Sequence, residues 1–167
     1  MRGLKVGAIA AVSLLLVMVL LVGYLFATAQ VSVVRLTAQG LSAASDPEGF
    51  AAVRQSVEED TFQGMLYQKP LEWKEPSEYA WITYTIRLHN GCLVPLDMVE
   101  AQVVPQSMDI LQKADLQVHS LNMKSDGELE VTILTDKNAH PVRELIVTYY
   151  VWGVSFTLKA TLGETEG

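Results

Sequence analysis

The chain has 167 residues, with 12 Lys+Arg against 19 Asp+Glu and a net charge of −7. Setting aside Arg2 and Lys5 leaves ten basic and 19 acidic residues from position 30 onward, net −9, a charge that repels phosphate and excludes a general nucleic-acid binder. The single cysteine, Cys92, excludes an intrachain disulfide framework.

The first element is the most distinctive. Arg2 and Lys5 precede a run from Val6 to Val34 in which Tyr24 is the one ionisable side chain. Val6 to Ala29 supplies the roughly 20 apolar residues that a helix needs to cross a bilayer. It exceeds the core of a secretory signal, roughly 7–15 residues. The pattern predicts a transmembrane signal anchor over residues 1–29. Ala27-Thr28-Ala29 also fits the small-x-small pattern read by signal peptidase, so a secreted domain cleaved after Ala29 is the competing expectation. The basic residues precede the span and acids dominate after it, which places the N-terminus in the cytoplasm and the rest outside. The absence of disulfides in such a domain favours a bacterial envelope.

Residues 30–163 have the length of one ordinary domain, followed by a polar tail at 164–167. Gln30 to Gln39 reads as a strand and Gly40 to Ser45 as a small-residue connector. Asp46-Pro47-Glu48 carries a cap, a first-turn proline and a first-turn acid, the signature of a helix start, and Phe50, Val53 and Val57 follow at helical spacing. A short helix is expected over about 46–58. Glu58-Glu59-Asp60 ends it, because acids oppose the macrodipole at a helix C-terminus.

From Thr61 the pattern turns to β. Phe62 to Tyr67 is a candidate strand, and Lys69 to Glu78 a loop with Pro70 and Pro76. Tyr79 to His89 alternates most clearly. Ala80, Ile82, Tyr84, Ile86 and Leu88 face one way, and Trp81, Thr83, Thr85, Arg87 and His89 the other, as in a sheet with one wetter face. Asn90-Gly91 predicts a turn, with Leu96 to Val104 as the return strand. Met108 to Asp115 fits a helical turn or an irregular crossover equally. Leu116 to Met123 and Glu128 to Thr135 predict a hairpin around Ser125-Asp126-Gly127. Arg143 to Trp152 and Val154 to Leu162 close the series, with Gly153 as a bulge or part of a tight turn. The reading is mainly β: an N-terminal transmembrane helix, then an antiparallel immunoglobulin- or fibronectin-like β-sandwich with one short helix.

The stretch from Ile82 to Val99, with Asn90 after the strand and Pro95-Leu96 opening the next, resembles type 2 late-embryogenesis-abundant, or water-stress, domains. The resemblance implies a β-sandwich, in some members membrane-anchored, and carries no catalytic residues. Where that pattern has Asn-Pro-Asn, this chain has Asn90-Gly91-Cys92.

No motif in the chain assembles a catalytic, cofactor or metal site. His89, His119 and His140 are scattered, without paired cysteines or the spacing of a zinc site. Glu58-Glu59-Asp60 lacks the interleaved turn residues of a calcium loop. No nucleophile elbow or glycine-rich phosphate loop occurs. Glu72, Glu75 and Glu78 could supply paired carboxylates for sugar hydrolysis but sit in a loop with lysines and prolines. Cys92 reads as a small, partly buried residue, with an intermolecular disulfide as the competing reading. Trp73, Tyr79 and Trp81 are the candidate partner-binding residues, large aromatics that either form an exposed patch or lie beneath a covering element. The expected protein is no enzyme. It meets the lipid bilayer through its helix, has a protein partner or a second copy of itself, and acts in binding or assembly at the envelope. The alternative is an enzyme on cell-wall polymers with a site built from separated loops.

Overall fold

The computed structural model describes residues 2–27, 30–115 and 117–162. The cleavage pattern at 28–29 and the polar tail at 164–167 lie outside the described residues. Helix α1, Arg2–Ala27, is 26 residues long. Its side chains are described without a break from Ile9 to Leu25, and the large apolar ones from Ile9 to Tyr24 are exposed. Among the described residues no helix is long and apolar enough to cross a membrane. The transmembrane span expected over 1–29 therefore finds no support in the described helix.

The rest is a sandwich of two antiparallel sheets. The strands are β1 (Val31–Ser42), β2 (Gly64–Leu66), β3 (Tyr79–Asn90), β4 (Leu96–Val103), β5 (Asp109–Lys113), β6 (His119–Leu121), β7 (Asp126–Asp136), β8 (Glu144–Val151) and β9 (Val154–Thr161). One sheet has the order β1-β3-β7-β5-β2 and the other β6-β4-β8-β9. The alternation seen in β3 is realised. Ile82, Tyr84, Ile86 and Leu88 point into the main core, where they meet Leu129, Val131 and Ile133 of β7 and the inward residues of β4 and β8.

Helix α2, Pro47–Glu58, forms where its signals place it. Asp46 Oδ1 accepts the Gly49 N–H at 3.0 Å, and proline occupies the first turn. Phe50 and Val57 turn its apolar stripe onto Tyr79, Trp81, Ile110, Leu111 and Leu134, a second core on the outer face of the five-stranded sheet. The predicted connector Gly40–Ser45 is partly strand: Gly40, Leu41 and Ser42 pair with Ile82, Trp81 and Ala80, and a 3₁₀ turn covers Ala43–Ser45. The strand expected over Phe62–Tyr67 shrinks to Gly64–Leu66, and the undecided segment Met108–Asp115 is β5.

Both predicted hairpins are corrected. β3 and β4 lie in different sheets, as do β6 and β7. Each step from β3 to β8 crosses the sandwich, so Asn90–Pro95 and Asn122–Ser125 are inter-sheet crossovers at the same end of the molecule. This is the entry pole, where Gln30 leads into β1. Asn90 is fully buried there. Its Nδ2 donates to the Val94 carbonyl at 3.0 Å and the Asn122 carbonyl at 2.9 Å, and its Oδ1 accepts the Cys92 N–H at 2.9 Å. The Gly91 N–H meets the Gln30 carbonyl at 2.9 Å, and a Cβ there would sit 2.7 Å from that oxygen, so the close approach requires glycine. Gly153 proves to belong to a tight turn. Trp152 (φ 50°) and Gly153 (φ 78°) join β8 to β9, with both central residues at positive φ as a type I′ turn demands.

Two outcomes test this packing. Ile86→Asp puts an unpaired charge into the core and should cost on the order of 4 kcal/mol or more in urea unfolding. Thr85→Asp, on the other face opposite Glu130, should cost about 1 kcal/mol. Asn90→Ala should cost about 3 kcal/mol, because it strands two carbonyls and an N–H at once, and Asn90→Asp should not rescue it, since a carboxylate cannot donate to those carbonyls.

Candidate binding surface

The aromatic residues singled out by sequence are brought together as a packed cluster. Phe50 stacks on Tyr79 with centroids 5.3 Å apart, Trp73 meets Phe50 edge-on at 5.7 Å, and Trp73 and Tyr79 are 5.9 Å apart. Tyr79 Oη accepts the Lys74 N–H at 3.1 Å, which holds the loop of Trp73 against the strand. Tyr79 and Trp81 are 4% and 7% exposed. They offer little area to a partner, whereas half-buried Trp73 keeps part of its ring at the surface. Lys113 Nζ lies 4.1 Å from the Trp81 ring centre, and Trp81 Nε1 is buried with no hydrogen-bond partner among the described residues.

Between this cluster and the entry pole, the outer face of the five-stranded sheet is uncovered and polar. The strand register sets its rows: Gln39-Thr83-Thr132, Thr37-Thr85-Glu130, Arg35-Arg87-Glu128 and Ser32-His89-Asp126. Thr83 and Thr132 hydroxyls share a hydrogen bond at 2.9 Å. Arg35 and Arg87 stand opposite each other, a like-charge pair relieved by Asp126, which takes Arg87 Nη2 at 2.9 Å and His89 Nδ1 at 2.7 Å. The His89 and Arg87 hydrogen bonds together hold the Asp126 carboxyl below its ordinary range. Two shallow grooves run along this face. One, of about 610 Å³, is lined by Lys113, Asp115, His119, Glu128, Glu130 and Thr132. The other, of about 220 Å³, lies between Arg35, Thr37, Thr85, Arg87 and Glu128. Alternating donors and carboxylates on a flat face suit a polar partner held by many hydrogen bonds. Sequence patterning had marked the β3 side of this surface as the wetter one. The Glu128–Glu130 side depends on β3–β7 pairing, which local sequence does not encode.

The remaining candidates lie apart and are paired locally. His119 Nε2 pairs with Asp115 at 2.6 Å, and His140 Nδ1 accepts the Val142 N–H. Among the described residues no three potential metal ligands come together. Glu58 pairs with Arg54, Glu59 with Gln55, and Glu78 with Lys137. Cys92 is 2% exposed, and burial pushes its thiol up against the opposing pull of Lys124 and the Gln30 carbonyl. A thiol so placed is no activated nucleophile.

Sequence reasoning missed the polar knot at the far pole. Arg143 and Asp109 are joined by paired bonds, Nε to Oδ2 at 2.8 Å and Nη2 to Oδ1 at 2.7 Å, with both side chains fully buried. Asp109 Oδ2 also accepts the Gln106 N–H at 2.8 Å, and Arg143 Nη1 donates to the carbonyls of His140 and Val142. Tyr84 Oη donates to the Pro141 carbonyl at 2.7 Å, and Tyr67 Oη to Gln112 Oε1 at 2.8 Å. Burial, the larger cause in each case, raises both phenols to about 12, so they stay protonated donors. The two charges lie 34 positions apart, in segments with no local sign of pairing.

No protein-family model matches this chain, and no curated protein matches it at a significant level.

Burial raises the Asp109 carboxyl, but hydrogen bonds led by Arg143 and the Gln106 N–H outweigh it and hold the group below the ordinary carboxylate range. A depressed folded value stabilises the fold above the unfolded value of about 3.9, and that contribution disappears as pH falls through the folded value. Urea titrations across pH should show stability falling below about pH 4 in the native chain, with a flatter acid limb in Asp109→Asn. Arg143→Met should cost about 3–5 kcal/mol at neutral pH, since it leaves a buried carboxylate unpaired.

Proposed function

We propose that this chain is a single-pass, membrane-anchored extracytoplasmic protein whose β-sandwich works by binding or assembly at a bacterial cell envelope. The observation that carries this reading is α1. Its described apolar side chains are exposed, and the run around them is free of charge from Val6 onward. Exposed apolar area costs about 25 cal/mol per Å² in water, so a helix of this kind calls for an apolar surrounding. Each central Leu, Ile or Val contributes about −0.3 to −0.6 kcal/mol to insertion, and Arg2 and Lys5 favour the cytoplasmic side for the segment before the helix.

The order β1-β3-β7 in one sheet and β4-β8-β9 in the other supports the immunoglobulin- or fibronectin-type reading. The residue 82–99 pattern resembling water-stress domains is compatible with it. The open polar face and the long free edge of β1 are the surfaces for a protein partner or a second copy, by side-chain contacts and by strand addition respectively. Trp73 flanks that face. The enzyme alternative finds its best support in the groove bearing Glu128 and Glu130. Both stand exposed, however, whereas a general acid in sugar hydrolysis needs a sheltered carboxyl.

Protease added to intact protoplasts should degrade a C-terminal tag while a cytoplasmic marker survives. Tag protection would reverse the topology, and a mature N-terminus at Gln30 would establish the secreted alternative. Crosslinking in membranes should trap a protein partner or a self-dimer, with a yield lowered severalfold by Arg87→Glu on the open face. A purified protein that cleaves glycan or peptide while crosslinking to nothing would move the assignment to the enzyme.

A further inference from the structure

Exposed apolar side chains occur at both ends of the sandwich: at the far pole Met108, after Gln106-Ser107, is 50% exposed. The entry pole ends in three crossovers or turns whose tips are apolar: Leu93 is 55% exposed, Met123 59% and Trp152 53%. These tips are neighbours. Asn90 ties the Val94 and Asn122 carbonyls together, and pairing of Asp97 with Tyr150 sets the Trp152 turn beside Pro95. Trp152 adopts φ 50°, a conformation in which Gly or Asn is the ordinary choice and a bulky aromatic is strained. Lys124 sits among the tips, with its Nζ on the Gly91 carbonyl.

The same pole is where α1 delivers the chain. Ala27 ends the helix and Val31 begins β1, and Gln30 is already bonded to Gly91. The Cα atoms of Ala27 and Val31 are four steps apart along the chain, at most about 14 Å. If α1 spans a bilayer, the tether holds this pole against the headgroup layer, about 5–8 Å thick on each side of the hydrocarbon. Tryptophan and lysine are the side chains suited to that layer, the one presenting an apolar ring with a polar N–H and the other a basic head on an apolar stem.

We propose that the tips bearing Leu93, Met123 and Trp152 form a membrane-contact surface that seats the sandwich, entry pole down, on the lipid bilayer that holds α1. This rests on the anchored reading of α1, and it fixes which surfaces of the domain remain free. The net charge of −9 from residue 30 onward resists a lipid-facing orientation of the acidic outer face, whereas the apolar tips carry little charge of their own. Seating by this pole therefore keeps the Arg87–Glu128 face and the free edge of β1 turned sideways along the membrane.

The test uses the full chain reconstituted into phosphatidylcholine vesicles with bromine on the upper acyl chains. Trp73 and Trp81 lie near the far end of β3, with Trp81 nine residues from Asn90, about 30 Å along the strand, and so act as internal references. Tryptophan emission should fall in brominated against plain vesicles, and the fall should be severalfold smaller in Trp152→Phe. Resistance to alkaline carbonate, measured on the same vesicles, reports the anchor separately. Carbonate-resistant protein whose Trp152 is quenched by aqueous acrylamide but not by brominated lipid overturns the contact and leaves the anchor standing. Carbonate-resistant protein whose Trp152 is shielded from both quenchers overturns the contact as well, because the ring is then covered by protein and not by lipid. Release by carbonate overturns the anchored reading and the contact with it.

Discussion

The side chain of Asn90 is the constraint on which the rest of the sandwich depends. Five of the connections in this domain carry the chain from one sheet to the other, and two of them pass the same pole as the incoming chain. Three backbone segments meet there with carbonyls and N–H groups that no ladder satisfies. An amide with two donors on one atom and an acceptor on the other can close such a junction, and Asn90 does so with every contact inside the protein. An apolar residue of similar volume would fill the space and leave those groups stranded, at about 1–3 kcal/mol each. The crossing of β3 to β4, which assigns the next strand to the opposite sheet, is thus held by hydrogen bonds rather than by turn geometry.

The far pole is closed by the same logic with charges in place of an amide. Arg143 and Asp109 satisfy each other; Arg143 also donates to the His140 and Val142 carbonyls of the connection after β7, and Asp109 accepts the Gln106 N–H of the connection after β4, so the two loops are locked together. Buried pairs of this kind add little net stability over an apolar substitute, but an unpaired member is costly. Alternative strand orders that separate Asp109 from Arg143 are therefore heavily penalised. Between the poles the core is ordinary: aliphatic side chains alternating inward from β3, β4, β7 and β8. Hydrophobic burial drives the two sheets together, and the polar closures at either end select how the strands are threaded.

That division explains what was legible in the sequence. Alternation along Tyr79–His89 reported a one-faced strand because burial follows side-chain period, and the inward set is as expected. The cap and first-turn proline of α2 reported its start for equally local reasons. Asn90-Gly91 and Ser125-Asp126-Gly127 misled, because a turn signal says that the chain bends and nothing about which sheet it enters next. Asn90 was visible as a turn former, but its real work, accepting Cys92 and donating to Val94 and Asn122, depends on a segment 32 residues away. The aromatic trio was legible as a cluster because its members are close in sequence. Its burial was settled by α2, whose docking position no local pattern states. The charged face was half legible: Arg87 and His89 lie on the wetter side of β3, whereas Glu128 and Glu130 join them only through the β3–β7 register.

The uncovered surfaces then follow from what the two poles and α2 leave over. α2 shields the far half of the outer sheet face, and the four-stranded sheet shields its inner face. Of the five-stranded sheet, what remains is the polar half of its outer face, rich in threonine and paired charges, and the free edge of β1. That edge carries Arg35 beside a bulge at Val33–Arg35, features that discourage indiscriminate strand pairing without blocking the edge along its full length. On the anchored reading proposed for α1, the domain is tethered by only a few residues and samples a small volume, which raises the effective concentration of any partner anchored in the same membrane. Weak, polar contacts across an open sheet face suffice under that condition. A freely diffusing partner would need a larger apolar patch than the outer face of this sandwich presents.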